Sequence, residues 1–397
     1  MAVADKIRDS LNRSSWIRKM FEEGDRLRQI HGPDRVYDFT LGNPDLEPPD
    51  AVVKRLQGLA QDPQPGMHKY MSNAGYRETR QAIAAYLGRK AGVPLTESHV
   101  VMTVGAGGGL NVVFKTILNP GDEVLVNAPY FVEYGFYADN HQGKIAVVPT
   151  RSDFQLDVPA IAKAITPRTR AVLINSPNNP TGVVYPEATL RALAEVLRQK
   201  EAEFGGTIYC ISDEPYAGLV FDGASVPPVL GIFPHGILVT SHSKDLALPG
   251  ERIGYIALHP AIPEASLLFD GLVFANRVLG FVNAPALMQR LIAELQGVAV
   301  NVQEYQERRD LLCGHLSRLG FDLVKPQGAF YLFPKSPIPD DVAFVRAAAT
   351  HNLLLVPGSG FGSPGYFRIA YCVPKQVILN SFPAFESVAK DFGLGGC

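Results

Sequence analysis

Between residues 75 and 260 short apolar runs alternate with segments of helical period, and this rhythm leaves few folds open. The runs are residues 100–104, 124–127, 145–148, 171–175, 208–212, 237–240 and 253–258. Each is short and largely apolar, the pattern of a strand covered on both faces. Residues 186–204 read as a helix between two of them. Pro186 suits its first turn, and Leu190, Leu193, Val196 and Leu197 share one face. Parallel neighbours need such crossovers, so the alternation predicts an α/β fold with a doubly wound, mostly parallel sheet.

After about residue 285 the rhythm changes. A long charged helix over 302–319 precedes three short strands around Phe330, Leu354 and Ile369, with helices near 342–350 and 384–392. That reads as a smaller α+β domain, and 397 residues exceed what one core usually organises. The expected division is residues 1–46 as an N-terminal segment without a sheet of its own, packing on the small domain. Residues 47–284 form the large domain and 285–397 the small one.

A net charge of -2 gives no general attraction to nucleic acid or an anionic membrane. No run of about eighteen apolar residues is present to span a bilayer. The stretch up to Gly32 is rich in charge and lacks the apolar core of a signal peptide, so a cytoplasmic protein is expected. Cys210, Cys313, Cys372 and Cys397 form neither a CxxC pair nor a metal-ligand spacing. Reduced thiols and no metal are the expectation.

Ligands of open α/β sheets sit at the carboxyl ends of the strands, and several polar clusters fall there. Residues 103–110 put Gly105, Ala106 and Gly107 after a strand and at a helix start, where free N–H groups cradle an anion. Residues 175–182, Asn-Ser-Pro-Asn-Asn-Pro-Thr-Gly, form a proline-fixed turn. Asp213, in Ser-Asp-Glu-Pro-Tyr, follows a buried strand and needs a cation or strong donor, unless it is simply solvated. Beyond the run 237–240, Lys244 lies between Ser241 and Arg252. A lysine held out of bulk water there becomes an amine nucleophile, while Ser241 and Arg252 bind an anion. Each cluster alone also permits a plain turn or a solvated loop. Pyridoxal phosphate satisfies all of them together: its phosphate takes the cradle, Ser241 and Arg252, its aldehyde takes Lys244, and its pyridinium takes Asp213.

These motifs, in this order, resemble the fold type I pyridoxal-phosphate enzymes, specifically the aspartate aminotransferase-like class I/II aminotransferases. The resemblance covers nearly the whole chain. It implies that Lys244 carries the cofactor as a Schiff base and that Asp213 pairs with the pyridinium nitrogen. Tyr216 and Asn179 would bind the phenolic oxygen, and Gly105, Ala106, Gly107, Ser241 and Arg252 the phosphate. Phe131 would stack on the ring, with a core phenylalanine as the other reading. Tyr70 matches a tyrosine that reaches the neighbouring subunit's phosphate, which implies a homodimer with shared sites. Thr79 departs from the leucine usual before Arg80 in that motif. Arg368 would grip the substrate α-carboxylate, with Gly42 and Asn43 in a loop closing over it and Asn179 beside it. The implied reaction moves an amino group between an α-amino acid and a 2-oxo acid. Elimination or replacement on an amino acid would use the same residues and is the alternative. Arg277 is either a second cation for a dicarboxylate substrate or a surface arginine.

Overall fold

The computed structural model describes residues 3–13, 24, 26–30 and 32–395, so Cys397 lies outside the described residues. In chain order the first strands are β1 (Tyr37–Asp38), β2 (Val100–Thr103), β3 (Glu123–Ala128), β4 (Lys144–Pro149), β5 (Thr169–Asn175) and β6 (Tyr209–Asp213). They are followed by β7 (Gly236–Ser241), β8 (Gly254–Leu258), β9 (Tyr331–Leu332), β10 (Leu353–Leu354), β11 (Val356–Pro357) and β12 (Phe367–Ala370).

All seven apolar runs are strands of one sheet in the order β2-β8-β7-β6-β5-β3-β4. Strand β8 runs antiparallel to β2 and β7, and the remaining pairs are parallel. Helices cover both faces, which is why these strands carry no polar alternation. Val124 and Val126 join the cluster under the helix Gly105–Ile117, whereas Leu125 between them packs with the helix Glu187–Phe204. A third cluster joins Val100, Met102 and Ile253 to Ile83, Met288, Leu291 and Ile292 from the helices Arg77–Ala91 and Ala286–Ile292.

The C-terminal elements build a separate core. Its sheet is β11-β12-β9, antiparallel throughout, against the helices Val302–Arg318, Asp341–Thr350 and Lys375–Asp391. Two details differ from the sequence expectation. Residues 37–38 do contribute a strand, pairing parallel with β10. A two-residue ladder leaves no periodicity to read. The last helix begins at Lys375, nine residues before the predicted start at 384, and carries Pro383 inside it. Proline lacks the N–H for an interior helical bond and reads as a first-turn residue. Here Ile378, Ser381, Phe385 and Val388 bury one continuous face on both sides of it, and that packing sustains the helix.

The segment after β1 is tied down firmly. Phe39 is fully buried in the C-terminal core, its ring 6.0 Å from that of Phe385, and its carbonyl accepts the Ala370 N–H at 2.9 Å. Phe39→Ala is therefore expected to cost roughly 3–5 kcal/mol of stability. Urea unfolding of the two proteins checks this, and an unchanged midpoint would show that the segment is not part of the core.

Candidate active site

Register brings the strand ends together. Asp213 stands opposite Asn175 of β5 on one side and Val239 of β7 on the other. The residues following these strands converge on a cavity of about 350 Å³. From the strand ends its wall receives Asn179, Asp213, Tyr216, Ser241, Lys244 and Arg252. Ala106, Gly107 and Phe131 complete the large-sheet side, and Gly42 and Arg368 enter from the C-terminal layer and the segment tied to it.

Among the described residues Asp213 is the sole acid of the wall. Tyr134 donates to its Oδ2 at 2.6 Å, while Oδ1 is buried and takes no hydrogen bond among the described residues. Burial raises the carboxyl to about 6, against the downward pull of the Tyr134 bond. Asn175 steadies this end of the site. Its Nδ2 donates to the Asp213 carbonyl at 2.8 Å, and its Oδ1 accepts the Asn179 N–H at 2.7 Å.

Lys244 donates through Nζ to the Gly42 carbonyl at 2.6 Å. Burial lowers its ammonium to about 8, and the Arg252 and Arg368 charges push the same way. A sizeable fraction is then neutral near physiological pH, as amine chemistry requires.

The helix Gly105–Ile117 starts at the cavity, so its first N–H groups lack intrahelical acceptors and carry the positive end of the dipole. Gly105 does not itself line the wall. It has φ +68°, and a Cβ there would lie 2.8 Å from Arg252 Nη2, so the glycine admits the guanidinium. Arg252 donates to the Pro249 carbonyl at 3.0 Å, and Ser241 Oγ donates to Ser243 Oγ at 3.0 Å. Helix start, hydroxyls and guanidinium together make an anion site.

Arg368 is buried between two rings, its Cζ 4.8 Å from the Tyr331 centroid and 4.7 Å from that of Phe361. It donates to Asn179 Oδ1 at 3.1 Å and to the Thr40 carbonyl at 2.5 Å, and its Nε has no partner among the described residues. No carboxylate of the described residues pairs with it. Burial lowers its pKa, as expected of a cation held without a counter-charge.

Besides Gly105, three sequence candidates stand apart from the cavity. Asn43 is exposed, Tyr70 is 91% exposed, and Arg277 is exposed with its guanidinium over Phe274. Conversely, Asn175, Tyr134 and Tyr331 line the wall without having been singled out. Asn175 had a signal, since it closes an apolar run and opens the turn at 175–182. Tyr134, one turn beyond Phe131, and Tyr331, within Ala-Phe-Tyr-Leu-Phe, read as ordinary core aromatics.

Residues 34–380 match the family model for aminotransferase class I and II. A probable aspartate/prephenate aminotransferase of Thermus aquaticus is 36% identical over 354 residues, covering 87% of this chain and 90% of that one. Aromatic-amino-acid aminotransferase 2 of Thermococcus litoralis is 30% identical, covering 98% of this chain and 99% of its own. An amino transferase structure from Eubacterium rectale superposes with a TM-score of 0.95 at 38% identity, over 99% of each chain. Aspartate aminotransferase of Thermus thermophilus with maleate gives a TM-score of 0.85 at 28% identity, over 98% of this chain and 100% of that one. With the family match spanning both cores and the cavity where they meet, this chain belongs to the class I and II aminotransferases of fold type I.

Proposed function

We propose that the protein transfers the amino group of an α-amino acid to a 2-oxo acid, with pyridoxal 5′-phosphate held in the 350 Å³ cavity. The observation that carries this reading is the buried, unpartnered Oδ1 of Asp213 in a wall that also holds Lys244 and the Gly107–Arg252 anion site. A protonated ring nitrogen would give that oxygen the donor it lacks, and its charge would offset the burial of the carboxylate. A phosphate group suits the helix start, Ser241 and Arg252. Phe131 offers a flat face, and Asn179 and Tyr216 offer donors for a ring oxygen.

When bound, the cofactor supplies an aldehyde for amine exchange and a π-system that withdraws electrons from the substrate Cα. The chain's own residues do the rest. Arg368 presents its planar fork to the α-carboxylate and so orients the substrate. Lys244 would take the Cα proton as a neutral amine and, as an ammonium, pass it to the cofactor's former aldehyde carbon, a task suited to an amine lowered to about 8. Asp213, ionised by a cationic partner, keeps the ring nitrogen protonated. No observation favours elimination or replacement chemistry.

We further propose a homodimer in which Tyr70 enters the partner's cavity, and a cytoplasmic location. Supporting the first, Tyr70 is almost fully exposed, and Leu267, Phe274 and Val278 are exposed on the helix Ala265–Val278. Consistent with the second, no helix of the described residues is long and apolar enough to cross a membrane.

Borohydride reduction of the yellow, cofactor-loaded protein is expected to fix the label on Lys244, as read by peptide mapping. Label on another lysine would overturn the assignment. Asp213→Asn should keep the cofactor but lose on the order of 10²-fold or more in turnover, measured by keto acid formation. Near-native turnover would remove Asp213 from the mechanism. For the dimer, mixing inactive Tyr70→Ala and Lys244→Ala subunits should restore activity in the hybrids, where one site receives both intact residues. Verified hybrids without activity would count against shared sites.

A further inference from the structure

Tyr331 touches both ends of the site. It is 3% exposed, on β9 beside β12, with its backbone paired to Ala370. Its hydroxyl is 2.9 Å from that of Tyr216, and the two rings meet edge to face with centroids 5.6 Å apart. Its own ring supports the Arg368 guanidinium. A third contact is steric. A Cβ on Gly42 would lie 1.8 Å from the Tyr331 hydroxyl, so only glycine lets that segment pass and bring its carbonyl to Lys244.

Two touching hydroxyls share one hydrogen bond, and its direction decides what Tyr216 has left to offer. Burial raises both phenols, and either hydroxyl can donate across the 2.9 Å contact; a hydroxyl has one proton, so when Tyr216 gives its own to the ring oxygen, Tyr331 must be the donor to Tyr216. The charged and titratable groups facing the pair are Arg368 and Cys372 for Tyr331, and Arg368 and Asp213 for Tyr216. With Tyr331 donating, Tyr216 keeps its own proton for another acceptor and becomes a stronger donor through the chain of hydrogen bonds.

We propose that Tyr331 is a positioning residue that couples the two ends of the site, its hydroxyl aiming Tyr216 at the cofactor's ring oxygen and its ring holding Arg368 in place for the carboxylate. This rests on the proposed cofactor reading. Tyr331→Phe separates the two roles, because it keeps the ring and removes the hydroxyl. Tyr331→Leu removes both.

The test titrates the visible absorbance of the cofactor-loaded proteins with pH and measures binding of propionate, a carboxylate that cannot react. A weaker Tyr216 donor leaves more negative charge on the ring oxygen, which holds a proton on the nearby Lys244-derived nitrogen more tightly. Tyr331→Phe is therefore expected to raise the midpoint by roughly half to one pH unit, the worth of one hydrogen bond, with propionate affinity unchanged within about twofold. Tyr331→Leu should show the same shift and bind propionate roughly 3- to 10-fold more weakly, because half of the aromatic support for Arg368 is gone. In a Tyr216→Phe background, Tyr331→Phe should add no further shift. An unmoved midpoint in Tyr331→Phe, a full extra shift without the Tyr216 hydroxyl, or unchanged propionate affinity in Tyr331→Leu would each overturn the coupling. Wild-type protein without a visible band attached to Lys244 would instead overturn the cofactor reading, and this inference with it.

Discussion

Asp213, Lys244 and Arg368 are held out of water around one cavity, and no opposite charge among the described residues is bonded to any of them. That desolvation is the constraint the rest of the site answers. Each group is steadied by neutral partners instead: a tyrosine hydroxyl for Asp213, the Gly42 carbonyl for Lys244, an amide and the Thr40 carbonyl for Arg368. Neutral partners hold orientation but leave part of the charge uncompensated, the condition under which a ligand of opposite charge is favoured. Arg309 shows the contrast. Its side chain is fully buried too, yet it forks onto Asp222 at 2.7 and 3.0 Å and pairs with Asp310. An arginine so satisfied joins parts of the fold; Arg368 has no such carboxylate partner and leaves its Nε unpaired among the described residues.

Such a site requires stiff walls, since a buried charge relaxes toward water wherever the structure yields. Parallel strands in fixed register supply one wall: Asn175 and Asp213 are opposed across β5 and β6, and the Asn175 amide spans the gap. The other wall is less local. Tyr216 leaves the end of β6 but is buried in the C-terminal core, edge-on to Phe330. Gly42 belongs to a segment whose Phe39 is locked into that same core. The cavity is therefore a seam between two hydrophobic cores, and its shape depends on both.

How much of this was legible in the chain follows from the kind of signal each element emits. The large sheet was readable because strands covered on both faces are continuous apolar runs. Asp213 and Lys244 were readable because a charge at the end of such a run is costly. Tyr331 and Tyr134 were not, because an aromatic within an apolar stretch looks the same whether its hydroxyl is a structural or a functional donor. The pairing of β1 with β10 was equally silent, since two residues carry no period, and Pro383 mimicked a helix start inside a helix. Asn43 and Tyr70 came from motif position alone, which says where a residue lies along the chain but not whether it faces the cavity.

Strand geometry also explains why a perturbed acid is a poor guide here by itself. Glu214 follows Asp213 directly, and burial raises it to about 7, a shift as large as the one that takes Asp213 to about 6. Successive residues leaving a strand point to opposite sides, so Glu214 turns away from the Lys244 cavity. It accepts a hydrogen bond from Ser212 at 2.8 Å and lines a separate cavity of about 150 Å³ with His242 and Asp245. Ser241 and His242 divide between the same two cavities. Two adjacent carboxyls thus share a cause for their shifts while only one shares a cavity with Lys244, the helix start at Gly107 and the buried Arg368. What singles out Asp213 is the company its side of the strand keeps.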